Sequence, residues 1–127
     1  MSYPEELSYT KGHEWIKFDD SDNAQIGITD YALEQLGDVV FIELPEVGAS
    51  FEAGDSFGTV ESTKTVSDLY MPLDGKIVSV NEDITENLEQ LSDDPYGKGW
   101  LIKVSFSEKN GELLKADEYE NYIKSEE

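Results

Sequence analysis

Apolar positions along this chain fall in short runs broken by turn residues, not in long helical stripes. Glu14-Trp15-Ile16-Lys17-Phe18 and Ala24-Gln25-Ile26-Gly27-Ile28 flank the polar run Asp19-Asp20-Ser21-Asp22-Asn23 and predict a β-hairpin. Thr29 is placed to cap a short helix, Tyr31 to Leu36, with Asp30 in the first turn and Gly37 as its stop. Val39 to Leu44 predicts a strand closed by Pro45, and Gly75 to Val80 another. Within the acidic stretch Glu82 to Asp94, Ile84, Leu88 and Leu91 are spaced as one face of a short helix. Pro95 to Gly99 marks a turn before a last strand, Trp100 to Val104. In the tail, Leu113, Leu114, Tyr119, Tyr122 and Ile123 recur at helical spacing, which predicts a helical segment over about 108–125 packed on the body.

The turns repeat. Pro45-Glu46-Val47-Gly48 and Pro72-Leu73-Asp74-Gly75 share the form Pro-x-x-Gly, each after a β-like run. Between them lies Gly58-Thr-Val-Glu-Ser-Thr-Lys-Thr-Val-Ser-Asp-Leu-Tyr70, where a pseudo-symmetric pair of sheets would place an exposed connecting turn at Lys64. An isolated lysine at a tight reversal is a handle that another protein can find and modify. The bland reading is that it keeps an edge soluble and unpaired, and spacing alone favours that one. Short strands, frequent turns and a terminal helix indicate an all-β sandwich or flattened barrel. A length of 127 residues suits a single domain spanning 1–127.

Composition narrows the function. There are 29 acidic residues against 9 basic ones, all lysine, for a net charge of -20. That surface repels phosphate backbones and anionic lipid, so neither nucleic acid nor membrane is an expected partner. It suits docking on basic patches of other proteins, or simply solubility. With no cysteine and one histidine, His13, thiolate and multi-histidine metal sites are excluded. The Asp19–Asn23 run lacks the glycine and glutamate of a calcium loop and reads as a polar turn. No apolar stretch has the length of a membrane span, and the first residues lack a signal-peptide pattern. These features favour the bacterial cytoplasm, although a mature chain of the mitochondrial matrix would look the same.

Catalytic groups are sparse. No Gly-x-Ser-x-Gly elbow, phosphate loop or dinucleotide fingerprint occurs, and His13 reads as a structural residue at a strand start. A carrier needs something else: a small rigid body, an exposed hairpin and one amine for a prosthetic group.

Several blocks agree with a carrier family in order along the chain. They are Tyr9-Thr-Lys-Gly-His-Glu-Trp15, Ile26-Gly-Ile-Thr-Asp-Tyr-Ala32, Gln35-Leu-Gly-Asp-Val-Val-Phe-Ile-Glu-Leu-Pro45 and Gly58-Thr-Val-Glu-Ser-Thr-Lys64. Ser67-Asp-Leu-Tyr70, Pro72-Leu-Asp-Gly75 and Asp94-Pro-Tyr-Gly-Lys-Gly-Trp-Leu-Ile-Lys103 follow. In these the chain closely resembles the H proteins of the glycine cleavage system. The family commonly has a small apolar residue before its lipoylated lysine and alanine after it, where this chain has Thr63 and Thr65. The paired methionines of biotin carriers and the Asp-Lys-Ala of 2-oxoacid dehydrogenase lipoyl domains are absent.

The resemblance implies a flattened barrel-sandwich hybrid of the lipoyl/biotinyl-carrier type, with short helices and a C-terminal helix. It implies one lipoic acid per chain, joined covalently to Lys64, and a non-catalytic carrier subunit. The aminomethyl group of glycine would pass from glycine decarboxylase, a pyridoxal-phosphate enzyme, to an aminomethyltransferase that uses tetrahydrofolate. Dihydrolipoyl dehydrogenase would reoxidise the arm, and a lipoate ligase or lipoyltransferase would attach it. An extended lipoyl-lysine reaches on the order of 15 Å. Its aminomethyl cargo carries an ammonium best held by a sheltered carboxylate, for which Glu14 and Asp68 are the candidates; the alternative is that both are solvated surface acids. Rival readings are an H-like lipoyl relay or donor in lipoate metabolism, and an unmodified acidic interaction module. The retention of Glu61, Lys64 and Asp68 argues against the last.

Overall fold

The computed structural model describes residues 4–19, 22–106 and 113–126. The predicted hairpin forms from β2 (Glu14–Phe18) and β3 (Asn23–Ile28), in antiparallel register with Trp15 opposite Gly27 and Ile16 opposite Ile26. A Cβ on Gly27 would fall 2.5 Å from the Trp15 ring, so the indole lies directly over that backbone. Two of the four residues between the strands lie outside those described; Asp19 N–H donates to the Asn23 carbonyl across the mouth of the turn.

Among the described residues nine strands form two sheets. The six-stranded sheet runs β1 (Ser8–Tyr9), β2, β3, β9 (Ile102–Ser105), β8 (Gly75–Val80), β5 (Ser50–Phe51). The three-stranded sheet is β4 (Val39–Glu43), β6 (Ser56–Ser62), β7 (Val66–Tyr70). The two Pro-x-x-Gly turns meet in space: Phe51, just past the first, pairs with Gly75 at the end of the second.

Period-two alternation sends the residues of β2 to opposite sides. Ile16 joins a core with Ile26, Ile42, Val60, Leu69, Ile77 and Ile102 between the sheets. Trp15 joins a second cluster with Leu7, Tyr9, Tyr119 and Ile123. The Tyr9 and Tyr119 rings stack at 4.8 Å, and the Trp15 indole N–H donates to the Pro95 carbonyl. The second cluster seats α4 (Ala116–Glu126) against the body.

Three expected elements differ from what forms. The helix predicted over Glu82 to Asp94 is two short ones, α2 (Glu82–Glu86) and α3 (Glu89–Asp93). Asn87 ends the first: its backbone and side-chain amides both donate to the Asp83 carbonyl, the local competition that makes asparagine a poor helix-interior residue. Ile84 and Leu91 are nonetheless buried. The last strand begins at Ile102, because the Trp100 N–H turns back to the Gly97 carbonyl. The terminal helix starts at Ala116, later than about 108. Leu114 instead bridges Tyr9 with two backbone hydrogen bonds of 2.7 and 2.8 Å, and residues 107–112 of that expectation lie outside those described.

Among the described residues ion pairing is sparse. Lys124 approaches Glu120 at 3.9 Å, an exposed i,i+4 contact. No helix among them is long and apolar enough to cross a membrane.

Candidate functional site

Lys64 lies in the loop between β6 and β7, where the Glu61–Val66 pair encloses Ser62, Thr63, Lys64 and Thr65. Ser62 fixes this turn. Its buried hydroxyl accepts from the backbone N–H of Lys64 (3.2 Å) and of Thr65 (3.1 Å), and donates to the Thr65 carbonyl (3.2 Å). The Thr63 N–H reaches the Asp38 carbonyl and ties the tip to the start of β4. The lysine backbone is therefore anchored while its side chain stays exposed.

That side chain crosses the end of α1 (Asp30–Leu36). The helix is capped as predicted: Thr29 Oγ1 accepts from the Ala32 N–H, and the Gly37 N–H closes on the Leu33 carbonyl. Beyond Gly37 a groove of about 290 Å³ opens between α1, the loop before β2, and β7. Ile28, Tyr31, Ala32, Leu36, Val60 and Leu69 make its apolar walls, and Glu14 and Asp68 both line it.

Glu14 is 2% exposed and is not the solvated acid of the alternative reading. Its Oε1 accepts from the Thr10 hydroxyl at 2.6 Å, and Oε2 accepts from the Tyr70 N–H at 3.4 Å. Burial disfavours the anion and raises the carboxyl from 4.5 to about 7, against the pull of those two donors. Asp68 is exposed at the rim, where the Tyr70 hydroxyl donates to it at 3.4 Å.

The loop carrying Glu14 is held from behind. His13 adopts φ 69, uncommon for a residue with a side chain, and its carbonyl accepts from the Thr29 N–H at the start of α1. His13 Nδ1 lies 2.9 Å from the Tyr119 hydroxyl, itself 2.7 Å from Thr29 Oγ1. Strand β2, helix α1 and helix α4 are thus joined through one polar chain beside the groove. The expectation that His13 is structural agrees with this placement.

Sequence reasoning named Lys64, Glu14 and Asp68, and the fold brings the two acids to one groove next to the lysine. It missed Ser62 as the turn's anchor, although a serine three residues before Thr65 is a recognisable side-chain turn signal. It also left the burial of Glu14 open. That was readable from alternation, since Glu14 shares a face with the core residue Ile16. Tyr31, Gln35 and Leu36 were read only as helix.

Comparison with known proteins is decisive about the family. The family described as Glycine cleavage H-protein matches residues 7–126. The chain belongs to that family. The glycine cleavage system H protein of Herpetosiphon aurantiacus is 53% identical over 123 residues, covering 97% of this chain and 95% of that one. That of Rubrobacter xylanophilus is 51% identical over 124 residues, with 98% and 97% covered. A crystal structure of a glycine cleavage system H protein from Mycobacterium marinum superposes with a TM-score of 0.90 at 46% identity, covering 96% of this chain and 99% of that chain. The H-protein likeness therefore extends over both sheets, the hairpin and the terminal helix.

Proposed function

We propose that this chain is the lipoyl carrier of a glycine cleavage system, with Lys64 Nζ as the atom acylated by lipoate. One observation carries the reading: a lysine with an anchored backbone and a free side chain stands beside an apolar groove that contains a buried carboxylate. The residues present fit the group. The exposed amine can form an amide, the apolar walls match an eight-carbon acyl chain, and Glu14 and Asp68 match a cationic end. When bound, lipoate would supply a dithiolane whose S–S bond opens as one sulfur takes up the aminomethyl group of glycine, leaving a dithiol once that group has been passed on.

What the chain's own residues do follows from their placement. Amide formation removes the Lys64 charge, so the leash no longer prefers water and can lie along Ile28, Ala32 and Leu36. Glu14 and Asp68 offer charge-assisted hydrogen bonds to a protonated amine, strongest where water is excluded. The walls keep water from that amine. None of these residues is placed to make or break a carbon bond, which fits a carrier handled in turn by glycine decarboxylase, an aminomethyltransferase and dihydrolipoyl dehydrogenase in a bacterial cytoplasm.

Treatment with a lipoate ligase followed by intact mass and peptide mapping tests the assignment. Modification should fall on Lys64; modification at Lys76 or Lys98 instead would overturn it. Lys64→Arg should keep the melting temperature, as expected of an exposed turn residue, and abolish glycine decarboxylation supported by this protein.

A further inference from the structure

We infer that Gly37 is the threshold over which the Lys64 arm enters the groove, and that a side chain at this position would hold the arm out in solvent. The inference rests on the reading of Lys64 as the attachment site and extends it to a residue outside both the turn and the groove wall.

A Cβ built on Gly37 would lie 3.4 Å from Lys64 Cε, 3.6 Å from Nζ and 3.7 Å from Cδ. The outer half of the lysine therefore rests across the end of α1, with the nitrogen to be acylated directly above Gly37. The two preceding residues, Leu36 and Gln35, line the groove, as do Ala32 and Tyr31 one turn earlier. Glycine, leucine and alanine thus mark one path along the helix, from the amine toward Glu14. An acylated nitrogen is planar and bulkier than an ammonium, and it must turn at the one place where the helix end offers no side chain.

Helix capping alone does not account for this. Gly37 has φ 79, and such a residue commonly ends a helix. Gly48 and Gly54 have φ 97 and 91, yet a Cβ on either would meet nothing within 4 Å. Gly37 combines the backbone demand with van der Waals contact to the functional lysine. Gly54 therefore supplies a control that is also at positive φ, with no arm to obstruct.

The test compares Gly37→Ala and Gly37→Asn with Gly54→Ala and Gly54→Asn in the full lipoylated chain. All four should lose some thermal stability from placing a side chain at positive φ. All should accept lipoate on Lys64, because the amine stays exposed. Only the Gly37 variants should lose the aminomethyl group faster, by roughly fivefold for Asn and less for Ala, as the docked fraction falls. In amide NMR, loading should shift Glu14, Leu36 and Leu69 in the wild type and in the Gly54 variants, and leave them unmoved in Gly37→Asn. Equal release from Gly37 and Gly54 variants would overturn the threshold and leave Gly37 a helix cap. If the Gly37 variants do not fold, the wild-type spectrum decides: no shift at Gly37 and Leu36 on lipoylation and loading overturns the inference. Mapping of lipoate to another lysine would overturn the attachment reading itself, a distinct result.

Discussion

Glu14 is a carboxylate placed where a carboxylate is costly. Its folded value of about 7 lies above the ordinary 4.5, so the fold suits the neutral acid better than the anion. The stability this confers is complete below 4.5 and is lost as pH rises through about 7. Glu14→Gln, which does not titrate, should therefore gain on the wild type across that window, by on the order of 3 kcal/mol, and hold a constant offset on either side. Melting temperatures of both proteins against pH check the sign. A second consequence concerns cargo. Glu14→Gln should release the aminomethyl group several-fold faster than the wild type above pH 7, where the native carboxyl is ionised, with the two converging at lower pH. Rates referenced to free aminomethyl-lipoamide remove the adduct's own pH dependence. Asp68→Asn, at the exposed rim, should have the smaller effect, since solvent already screens that carboxylate.

At the scale of elements, the turn before β7 depends on one hydroxyl. Ser62→Ala removes the acceptor of two backbone N–H groups and the donor to a carbonyl, and should cost about 1–2 kcal/mol. The variant should also be lipoylated more slowly, because the anchored backbone that presents Lys64 is loosened; initial rates with a lipoate ligase measure this, and unchanged rates would confine Ser62 to stability. Elements of this kind separate what was legible in the chain from what was not. The β2–β3 hairpin, the Thr29 cap and the Gly37 stop were readable because each is decided by near neighbours. The break at Asn87 was not, since a three-residue apolar spacing looks the same whether one helix or two carries it. The late start of α4 depends on Leu114 pairing with Tyr9, a contact no local pattern contains. The groove has the same origin: its wall joins Glu14, Leu36 and Leu69, which share no periodicity. The turn position of Lys64 was legible in the chain, whereas the closeness of its side chain to Gly37 at the end of α1 was not.

For the whole molecule, charge sets the partner chemistry. With -20 on 127 residues, association with any cationic surface of another protein should weaken as salt rises, chiefly through the on-rate. The apparent Michaelis constant for this protein, titrated against ionic strength, measures it; a flat response would leave the acidity to solubility alone. The exposed Lys124–Glu120 contact has a less obvious consequence. A chain with so few cations cannot neutralise its acids internally, and one surface pair contributes little. Much of its carboxylate repulsion must fall to ions from solution. Added salt should therefore raise the melting temperature while it loosens docking, so that the conditions which best preserve the isolated carrier are those in which it delivers least.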